Sequence, residues 1–239
     1  MQINRMTLSL LEWYNREKRI LPFRNIDNPY KIWLSEIMLQ QTQVDTMIPY
    51  FNRWIKKYPT LQSVANEDQE KLLKMWEGLG YYSRCRNFHK AIKIVFNQYS
   101  GIVPNNWTDF RALPGVGDYT AAAVLSIAYH QPYPVIDGNV KRVMARLLGL
   151  KNLTKRNMSR MNRYLNEHIS KDFPGDFNQG MMELGAGICS PKNPDCGKCP
   201  VSNFCKGFLM GSPESYPKYI KKEKTPHYEI VAGIIWRDD

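Results

Sequence analysis

The chain has 239 residues, and 43% of them are hydrophobic, which is enough to bury a core in one large domain or two modest ones. Its 33 Lys and Arg against 22 Asp and Glu give a formal net charge of +11, which favours a polyanionic partner. No apolar run reaches the ~18–20 residues of a membrane span, and residues 1–19 lack the uninterrupted apolar core of a signal peptide. These features argue against a disordered, membrane-spanning or secreted protein and predict a cytoplasmic one.

Apolar spacing predicts helices along most of the chain. The predicted helices cover residues 7–19, 29–40, 44–58, 68–76, 86–98, 107–112, 120–129 and 138–150, followed by a more polar helical stretch over 151–170. Residues 59–65 are predicted to form a loop, and Gly78 ends the fourth helix. The pattern is that of an all-α fold.

Glu36 lies in the apolar part of the second predicted helix, three residues after Trp33 and one before Ile37. Burial disfavours the ionised form of a carboxyl group, so the pKa of a buried Glu36 would rise and its side chain would donate a proton near neutral pH. The alternative is a glutamate at the helix edge that faces water or pairs with an arginine. Residue type alone favours this alternative.

Two short segments between predicted helices carry unusual side chains. Residues 40–43 are Gln-Gln-Thr-Gln, and such amides either read base edges or cap a helix. Leu79 and Tyr81 flank Gly80 on a turn. They could form an apolar wedge that enters a base stack. The alternative is that Tyr81 and Tyr82 are core aromatics.

The turn from Leu113 to Gly117 leads directly into the apolar helix predicted over 120–129. Gly115 and Gly117 permit a tight backbone, and unpaired N–H groups at the start of the helix would bind an anion such as a nucleic-acid phosphate. An ordinary turn between two helices is an equally good interpretation. Further along, Asp137 stands at the expected N-cap position of the helix over 138–150.

Four of the five cysteines form the pattern C-x6-C-x2-C-x5-C, at Cys189, Cys196, Cys199 and Cys205. Four thiolates on a short loop are what a [4Fe–4S] cluster requires. Zinc also takes sites of four thiolates, so the spacing leaves both open. Cys85 lies far from the others and is predicted to be a packing residue.

The composition changes after the cysteines. Residues 207–224 are rich in Gly, Pro and Lys and are predicted to form a basic linker. Residues 225–236 alternate like a single β-strand, which cannot form a sheet by itself.

Several of these segments together resemble one known family. Residues 113–120 resemble the helix–hairpin–helix of the base-excision DNA glycosylases related to endonuclease III, and residues 135–140 resemble the segment that carries their catalytic aspartate. The stretches LQQTQV (39–44) and GLGYYSR (78–84) are similar to the adenine-specific branch, the MutY-type adenine DNA glycosylases. The resemblance extends over residues 10–206.

The resemblance implies an all-α fold of two helical lobes with a cleft between them. One is a six-helix barrel module over 22–133, with the helix–hairpin–helix at about 107–130, and the other, built from 1–21 and 134–206, holds a [4Fe–4S] cluster on the four clustered cysteines. Residues 207–224 would then link to the opening, at 225–239, of a truncated C-terminal Nudix-like domain.

The resemblance also assigns the chemistry. Glu36 would be the acid that protonates the leaving adenine, and Asp137 the carboxylate that stabilises the cationic sugar. Tyr119 stands where lyase-competent relatives have a lysine, which implies a monofunctional glycosylase without efficient strand cleavage. Lys141 would contact a phosphate or, weakly, trap the abasic product.

The remaining implied contacts are to DNA. Gln179 would contact the extruded adenine, and Arg24 and Leu21 would line its pocket. Gln41, Leu79 and Tyr81 would form the wedge around the opposite base, expected to be 8-oxoguanine, and Thr42 is a further DNA-binding residue. The turn of Gly115, Val116 and Gly117 would contact a phosphate. Phe23 stands where the family commonly has Trp, which weakens the pocket assignment.

The predicted function is therefore removal of adenine opposite 8-oxoguanine or guanine from double-stranded DNA. The protein is expected to act as a monomer in the bacterial cytoplasm, at the nucleoid and with no membrane partner. The alternatives are a thymine mismatch glycosylase, an endonuclease III-like glycosylase/lyase, and a non-catalytic DNA-binding protein.

Overall fold

The structure is a computed structural model that describes residues 4–218 and three isolated positions beyond them, Glu229, Gly233 and Trp236. Within these residues the chain forms twelve α-helices and no β-strand, which confirms the predicted all-α fold. The helices are α1 (Arg5–Glu17), α2 (Pro29–Leu39), α3 (Val44–Lys57), α4 (Leu61–Ala65), α5 (Gln69–Trp76), α6 (Ser83–Gln98), α7 (Trp107–Arg111), α8 (Asp118–Tyr129), α9 (Gly138–Leu148), α10 (Lys155–His168), α11 (Pro174–Gly187) and α12 (Lys206–Leu209).

None of the described helices combines the length and the apolar character that crossing a membrane demands. The strand predicted over 225–236 lies outside the described residues, apart from the three isolated positions.

Side-chain caps begin several helices close to where the sequence predicts them. Asn28 accepts a hydrogen bond from the Lys31 N–H just ahead of α2, and Asp137 does the same for the Val140 N–H at α9. Thr154 caps α10, so this helix begins four residues later than predicted. Caps satisfy backbone N–H groups that have no partner within the helix.

The loop predicted over residues 59–65 is wrong, because Leu61–Ala65 forms a short helix. Thr60 and Ser63 make a capping box, in which each side chain accepts from the other residue's backbone N–H. Leu61, Val64 and Ala65 are all buried. Five residues are too few for an apolar repeat to be recognised in the sequence.

Helices α2–α8 enclose the largest hydrophobic core of the described residues, and we call this part the barrel lobe. Its large aromatic side chains meet edge to face, with ring centroids 5.0 Å apart for Trp33 and Phe88 and 5.8 Å apart for Trp54 and Trp76. Such pairs add about 0.5–1.5 kcal/mol beyond their burial. Cys85 lies fully buried in this core, as its predicted packing role requires.

The second core lies between α1 and helices α9–α11, and we call this part the cluster lobe. The first helix of the chain thus packs against a helix more than 160 residues away. Gly180 on α11 allows this approach, since a Cβ added there would lie 3.3 Å from the Cβ of Tyr14.

Helix α11 also joins the two lobes. Gly175 lies against α8, and the buried Asn178 donates hydrogen bonds of 2.8 Å to the Ser126 hydroxyl and the Tyr133 carbonyl. The side-chain Oδ1 of Asn178 accepts one of 3.0 Å from the Val135 N–H. The loop that leads to Asp137 is therefore fixed to both lobes.

The basic linker predicted over 207–224 is wrong for its described part, residues 207–218. Tyr216 is buried and its carbonyl accepts a 3.1 Å hydrogen bond from the Arg146 Nε, while the Lys218 N–H donates to the Lys151 carbonyl at 2.7 Å. A Cβ added at Gly207 would lie 3.2 Å from the carbonyl oxygen of Arg146 on α9. Gly207 therefore serves close packing, whereas a Cβ added at Gly211 would meet no atom within 4 Å.

The contact between α11 and α8 gives a test of how the lobes are held together. A Cβ at Gly175 would come within 2.9 Å of both the Ile127 Cα and the Ser126 carbonyl oxygen, which are backbone atoms. Gly175→Ala should therefore lower the free energy of unfolding by about 1–3 kcal/mol in denaturant titration. Gly187→Ala on the same helix meets no atom within 4 Å and should leave it unchanged or slightly higher. Equal effects of the two variants would contradict the close contact.

Candidate active site

A pocket of about 210 Å³ lies where α2, α8, α11 and the start of α9 converge. It is smaller than the ~300–1,000 Å³ of typical drug-sized ligand sites and suits a single base. Seven of the residues predicted from the sequence line it, namely Leu21, Arg24, Glu36, Thr42, Tyr119, Asp137 and Gln179.

Glu36 is buried on α2, with only 6% of its surface exposed. Burial is the largest influence and raises the pKa of Glu36 from its usual 4.5 to about 7, although the hydrogen bond from Tyr119 acts in the opposite direction. The negative charge of Asp137 adds to the rise and the positive charge of Arg24 reduces it. Glu36 can therefore hold a proton near neutral pH and release it.

Tyr119, on the second residue of α8, connects the acid to the cluster lobe. Its hydroxyl lies 3.0 Å from Glu36 Oε2 and 3.5 Å from the Sδ of Met182 on α11. Burial, followed by the charge of Glu36, raises the pKa of Tyr119 well above its usual value. The phenol therefore keeps its proton and acts as a donor.

Asp137 occupies the N-cap position predicted for it. Its Oδ1 accepts a 2.6 Å hydrogen bond from the Val140 N–H, and the residue also lines the pocket that contains Glu36. Capping of α9 and a place in the pocket are thus compatible, because a carboxylate has two oxygens.

Sequence reasoning missed Glu183, which lies on α11 at the pocket wall. Arg19 and Arg24 both form ion pairs with its carboxylate, whose side chain is 8% exposed. Burial acts to raise the pKa of Glu183, but the hydrogen bonds and charges of Arg19 and Arg24 outweigh it, so the pKa lies below its usual value. Besides Asp137, the pocket therefore contains one carboxyl that holds a proton near neutral pH and one that stays ionised. The available signal was a glutamate between Met182 and Leu184, the same apolar context that drew attention to Glu36.

A groove of about 510 Å³ leads from the pocket across the hairpin turn. It is lined by Gln41, Gly115, Gly117 and Thr120, and it shares Tyr119 and Asp137 with the pocket. No side chain caps the start of α8 at Gly117. N–H groups at the first turn of this helix are consequently available to an anion in the groove.

Two residues of the predicted DNA contact do not offer their side chains to a partner. Leu79 is 6% exposed and packs in the core of the barrel lobe, so a wedge at this position would have to leave that core; its role as a wedge stays a prediction. The Val116 side chain is 3% exposed, and its N–H donates to the Leu113 carbonyl at 3.1 Å. In both turns an apolar side chain that lies between two glycines packs into the core.

Gln41 and Tyr81, in contrast, are exposed and both adopt positive φ angles, of 56° and 46°. Such conformations cost about 1–3 kcal/mol in non-glycine residues and concentrate at functional sites. Lys141 lies outside the pocket and lines two neighbouring hollows.

Arg84, the last residue of GLGYYSR, holds these two turns together. Its buried guanidinium donates to the carbonyls of Met38 at 3.0 Å and Leu79 at 3.1 Å, and to the Gln40 carbonyl. No role for Arg84 could be predicted from the sequence, because residue type does not distinguish a buried arginine that donates to carbonyls from an exposed one.

The four predicted cysteines lie on one loop. Burial is the largest cause of the raised pKa of the Cys196, Cys199 and Cys205 thiols, and the charges of neighbouring cysteines raise it further. Among the described residues, however, no three His, Cys, Asp or Glu side chains approach closely enough to hold a single metal ion. A zinc ion would need its sulfurs about 2.3 Å away. Arg146 Nη1 donates to Cys189 Sγ at 3.2 Å. Four thiols on one loop are the donor set that a [4Fe–4S] cluster takes.

Comparison with known families identifies the class of protein. Residues 34–167 match the HhH-GPD superfamily of base excision DNA repair proteins, and residues 189–205 match the iron–sulfur binding domain of endonuclease III. The chain belongs to the HhH-GPD superfamily. The predicted [4Fe–4S] cofactor is confirmed. The four cysteines remain its predicted ligands, and when bound the cluster would cross-link the loop that holds it.

Within that superfamily, the chain is similar to adenine DNA glycosylases. That of Buchnera aphidicola subsp. Schizaphis graminum is 39% identical over 218 residues, and that of Rattus norvegicus is 43% identical over 209 residues. These alignments cover 90% and 83% of this chain but 62% and 40% of the relatives. The chain thus spans between two fifths and two thirds of the length of these curated relatives.

Solved structures agree on the fold. A thermostable thymine-DNA glycosylase is 28% identical with a TM-score of 0.78, covering 85% of this chain and 95% of that one. An endonuclease III trapped as a covalent intermediate with DNA gives a TM-score of 0.70 at 23% identity, covering 88% and 99%. The predicted two-lobed helical fold is confirmed.

The raised pKa of Glu36 has a consequence for stability. Between pH 4.5 and about 7 the folded protein retains a proton that the unfolded chain has lost, so this residue makes folding less favourable as the pH rises through that window. Glu36→Gln should therefore be more stable than the unchanged protein at pH 8, by up to about 3 kcal/mol, and little different at pH 5.

Denaturant titration at both pH values would measure this effect. Glu183→Gln is the matched control with the opposite sign: its pKa is lowered, so its loss should destabilise the fold at pH 8. If the unchanged protein and Glu36→Gln responded to pH identically, Glu36 would have an ordinary pKa.

Proposed function

We propose that this chain contains the catalytic part of an adenine DNA glycosylase, which removes adenine paired with 8-oxoguanine or guanine in double-stranded DNA. The observation that carries the proposal is the pocket of about 210 Å³ lined by both Glu36, whose pKa is raised to about 7, and Asp137. The names of the relatives support adenine as the base removed.

In this proposal the two carboxyl groups divide the work. Breaking a glycosidic bond requires protonation of the leaving base and stabilisation of positive charge on the sugar. Protonated Glu36 donates to the adenine, and ionised Asp137 stabilises the cationic sugar on the opposite side. Glu36, once ionised, activates the attacking water. The adenine must first leave the duplex, which costs a few kcal/mol.

Tyr119 restricts the reaction to base removal. A lyase needs an amine to form a Schiff base with the sugar, and a phenol cannot supply one. The 3.0 Å contact with Glu36 supports a different role, in which Tyr119 fixes the orientation of the acid.

We propose that DNA lies along the groove at the hairpin turn. Its phosphates would meet the N–H groups at the start of α8, and the exposed Gln41 and Tyr81 would reach the opposite base. The net charge of +11 supports this partner. We expect the protein to act as a monomer in the cytoplasm, at the genomic DNA.

The substrate can be tested by single-turnover base release from duplexes with A opposite 8-oxoguanine, G or C, and with T opposite G. We expect release of adenine from the first two. Glu36→Gln and Asp137→Asn should each slow release by about 10²–10⁴-fold, as expected for loss of an acid–base group, while DNA binding is retained.

One result favours a second function. The likeness to a thymine-DNA glycosylase and the tyrosine at position 119 are compatible with a thymine mismatch enzyme. Release of T opposite G without release of A would replace the adenine proposal with this one. Unchanged rates in the Glu36 and Asp137 variants would refute their roles.

The absence of lyase chemistry is tested by borohydride trapping on DNA with a released base. The unchanged protein should give little covalent complex, and Tyr119→Lys should give more, because it restores an amine at the sugar. Tyr119→Phe is the control and should trap no more than the unchanged protein. A strong complex that disappears in Lys141→Ala would instead assign the reactive amine to Lys141.

A further inference from the structure

Met182 is the methionine closest to the proposed chemistry. It lies on α11, lines the pocket with Glu36 and Asp137, and is only half-buried. Six of the eleven methionines are fully buried in the two cores, out of reach of a dissolved oxidant: Met6, Met38, Met47, Met144, Met161 and Met181.

The sulfur of Met182 competes with Glu36 for a single proton. The Tyr119 hydroxyl has one hydrogen to donate, and it lies 3.0 Å from Glu36 Oε2 and 3.5 Å from Met182 Sδ. A thioether is a weak acceptor and a carboxylate a strong one, so the hydrogen belongs to Glu36. A change that strengthens the acceptor at position 182 would alter that balance.

We propose that Met182 is an oxidative modification site through which a peroxide controls the proposed glycosylase. An S–O bond forms at Sδ as the O–O bond of the peroxide breaks, sulfur loses two electrons, and the peroxide is reduced to water or an alcohol. The new sulfoxide oxygen accepts the Tyr119 hydrogen and takes it from Glu36. The proposal rests on the function assigned to this pocket above.

Two effects on the pocket follow. Glu36 loses the hydrogen bond that favours its ionised form, among the charged neighbours Asp137, Glu183, Arg19 and Arg24. The polar sulfoxide also replaces an apolar wall next to the site of the base. Base release is slowed, and because methionine sulfoxide is reducible, the loss is reversible.

The experiment compares the unchanged holoprotein with Met182→Leu and Met210→Leu after graded exposure to hydrogen peroxide. Met210 is a matched control: it is 64% exposed, and its Sδ lies 3.5 Å from the Tyr216 hydroxyl, outside the pocket. Each rate of adenine release is divided by the rate of the same untreated variant. Peptide mass spectrometry locates the sulfoxide, and absorbance follows the iron–sulfur cluster.

We expect oxidation at Met182 to lower single-turnover release by about tenfold, equivalent to about 1.4 kcal/mol of transition-state stabilisation. Met210→Leu should behave like the unchanged protein, Met182→Leu should keep its rate, and methionine sulfoxide reductases should restore the oxidised enzyme. Equal loss in Met182→Leu would attribute the effect to the cluster or another residue. Persistence of an unoxidised Met182 while Met210 is fully oxidised would also overturn the proposal.

A second measurement does not depend on activity. Oxidation should change the difference in unfolding free energy between pH 5 and pH 8 in the unchanged protein and in Met210→Leu. It should not change this difference in Met182→Leu, which lacks the sulfur, or in Glu36→Gln, which lacks the carboxyl group. If no duplex released a base, the proposed function would be wrong. The pH measurement would still show whether oxidation of Met182 alters the ionisation of Glu36.

Discussion

The burial of one carboxyl group is the constraint on which the rest of this structure depends. Glu36 lies among apolar side chains of α2, and its ionised form is stabilised mainly by the hydroxyl of Tyr119 from α8. Water would supply that stabilisation on an exposed helix. The fold instead excludes water from Glu36 and provides one hydrogen-bond donor, so that the pKa of Glu36 is about 7. A proton donor that works near neutrality is the direct result.

This arrangement is possible only because two lobes meet around the pocket. α2 and α8 belong to the barrel lobe, whereas Met182, Glu183 and Gln179 come from α11 of the cluster lobe. Asn178 fixes the loop before Asp137 through bonds to both sides. Such a network rigidifies the site as long as every polar member is satisfied. The acid and the carboxylate are thereby placed in one cavity despite a separation of about 100 residues along the chain.

The ionised and the protonated carboxyl groups of the pocket differ through their neighbours. Glu183 has two arginine partners and remains charged, while Glu36 has one neutral donor and does not. Two arginines also neutralise the wall beside the site of the proposed extruded base. The same residue type therefore takes two states within one pocket, as environment decides the pKa.

The sequence by itself determined the helical fold, because apolar spacing and caps such as Asn28 act locally. It also determined the cysteine loop, Asp137 as an N-cap, and Glu36 as an unusual glutamate. It missed the short helix α4, since five residues are too few to show an apolar repeat. It also did not show that the side chains of Leu79 and Val116 are buried, since the direction of a side chain is not encoded in a turn of a few residues. Only the tertiary structure decided the pairing of Arg19 and Arg24 with Glu183, the bonds of Arg84 to two turns, and the contact of Tyr119 with Glu36 and Met182. Each of these joins residues from separate helices, and such contacts arise from packing, which no local pattern specifies.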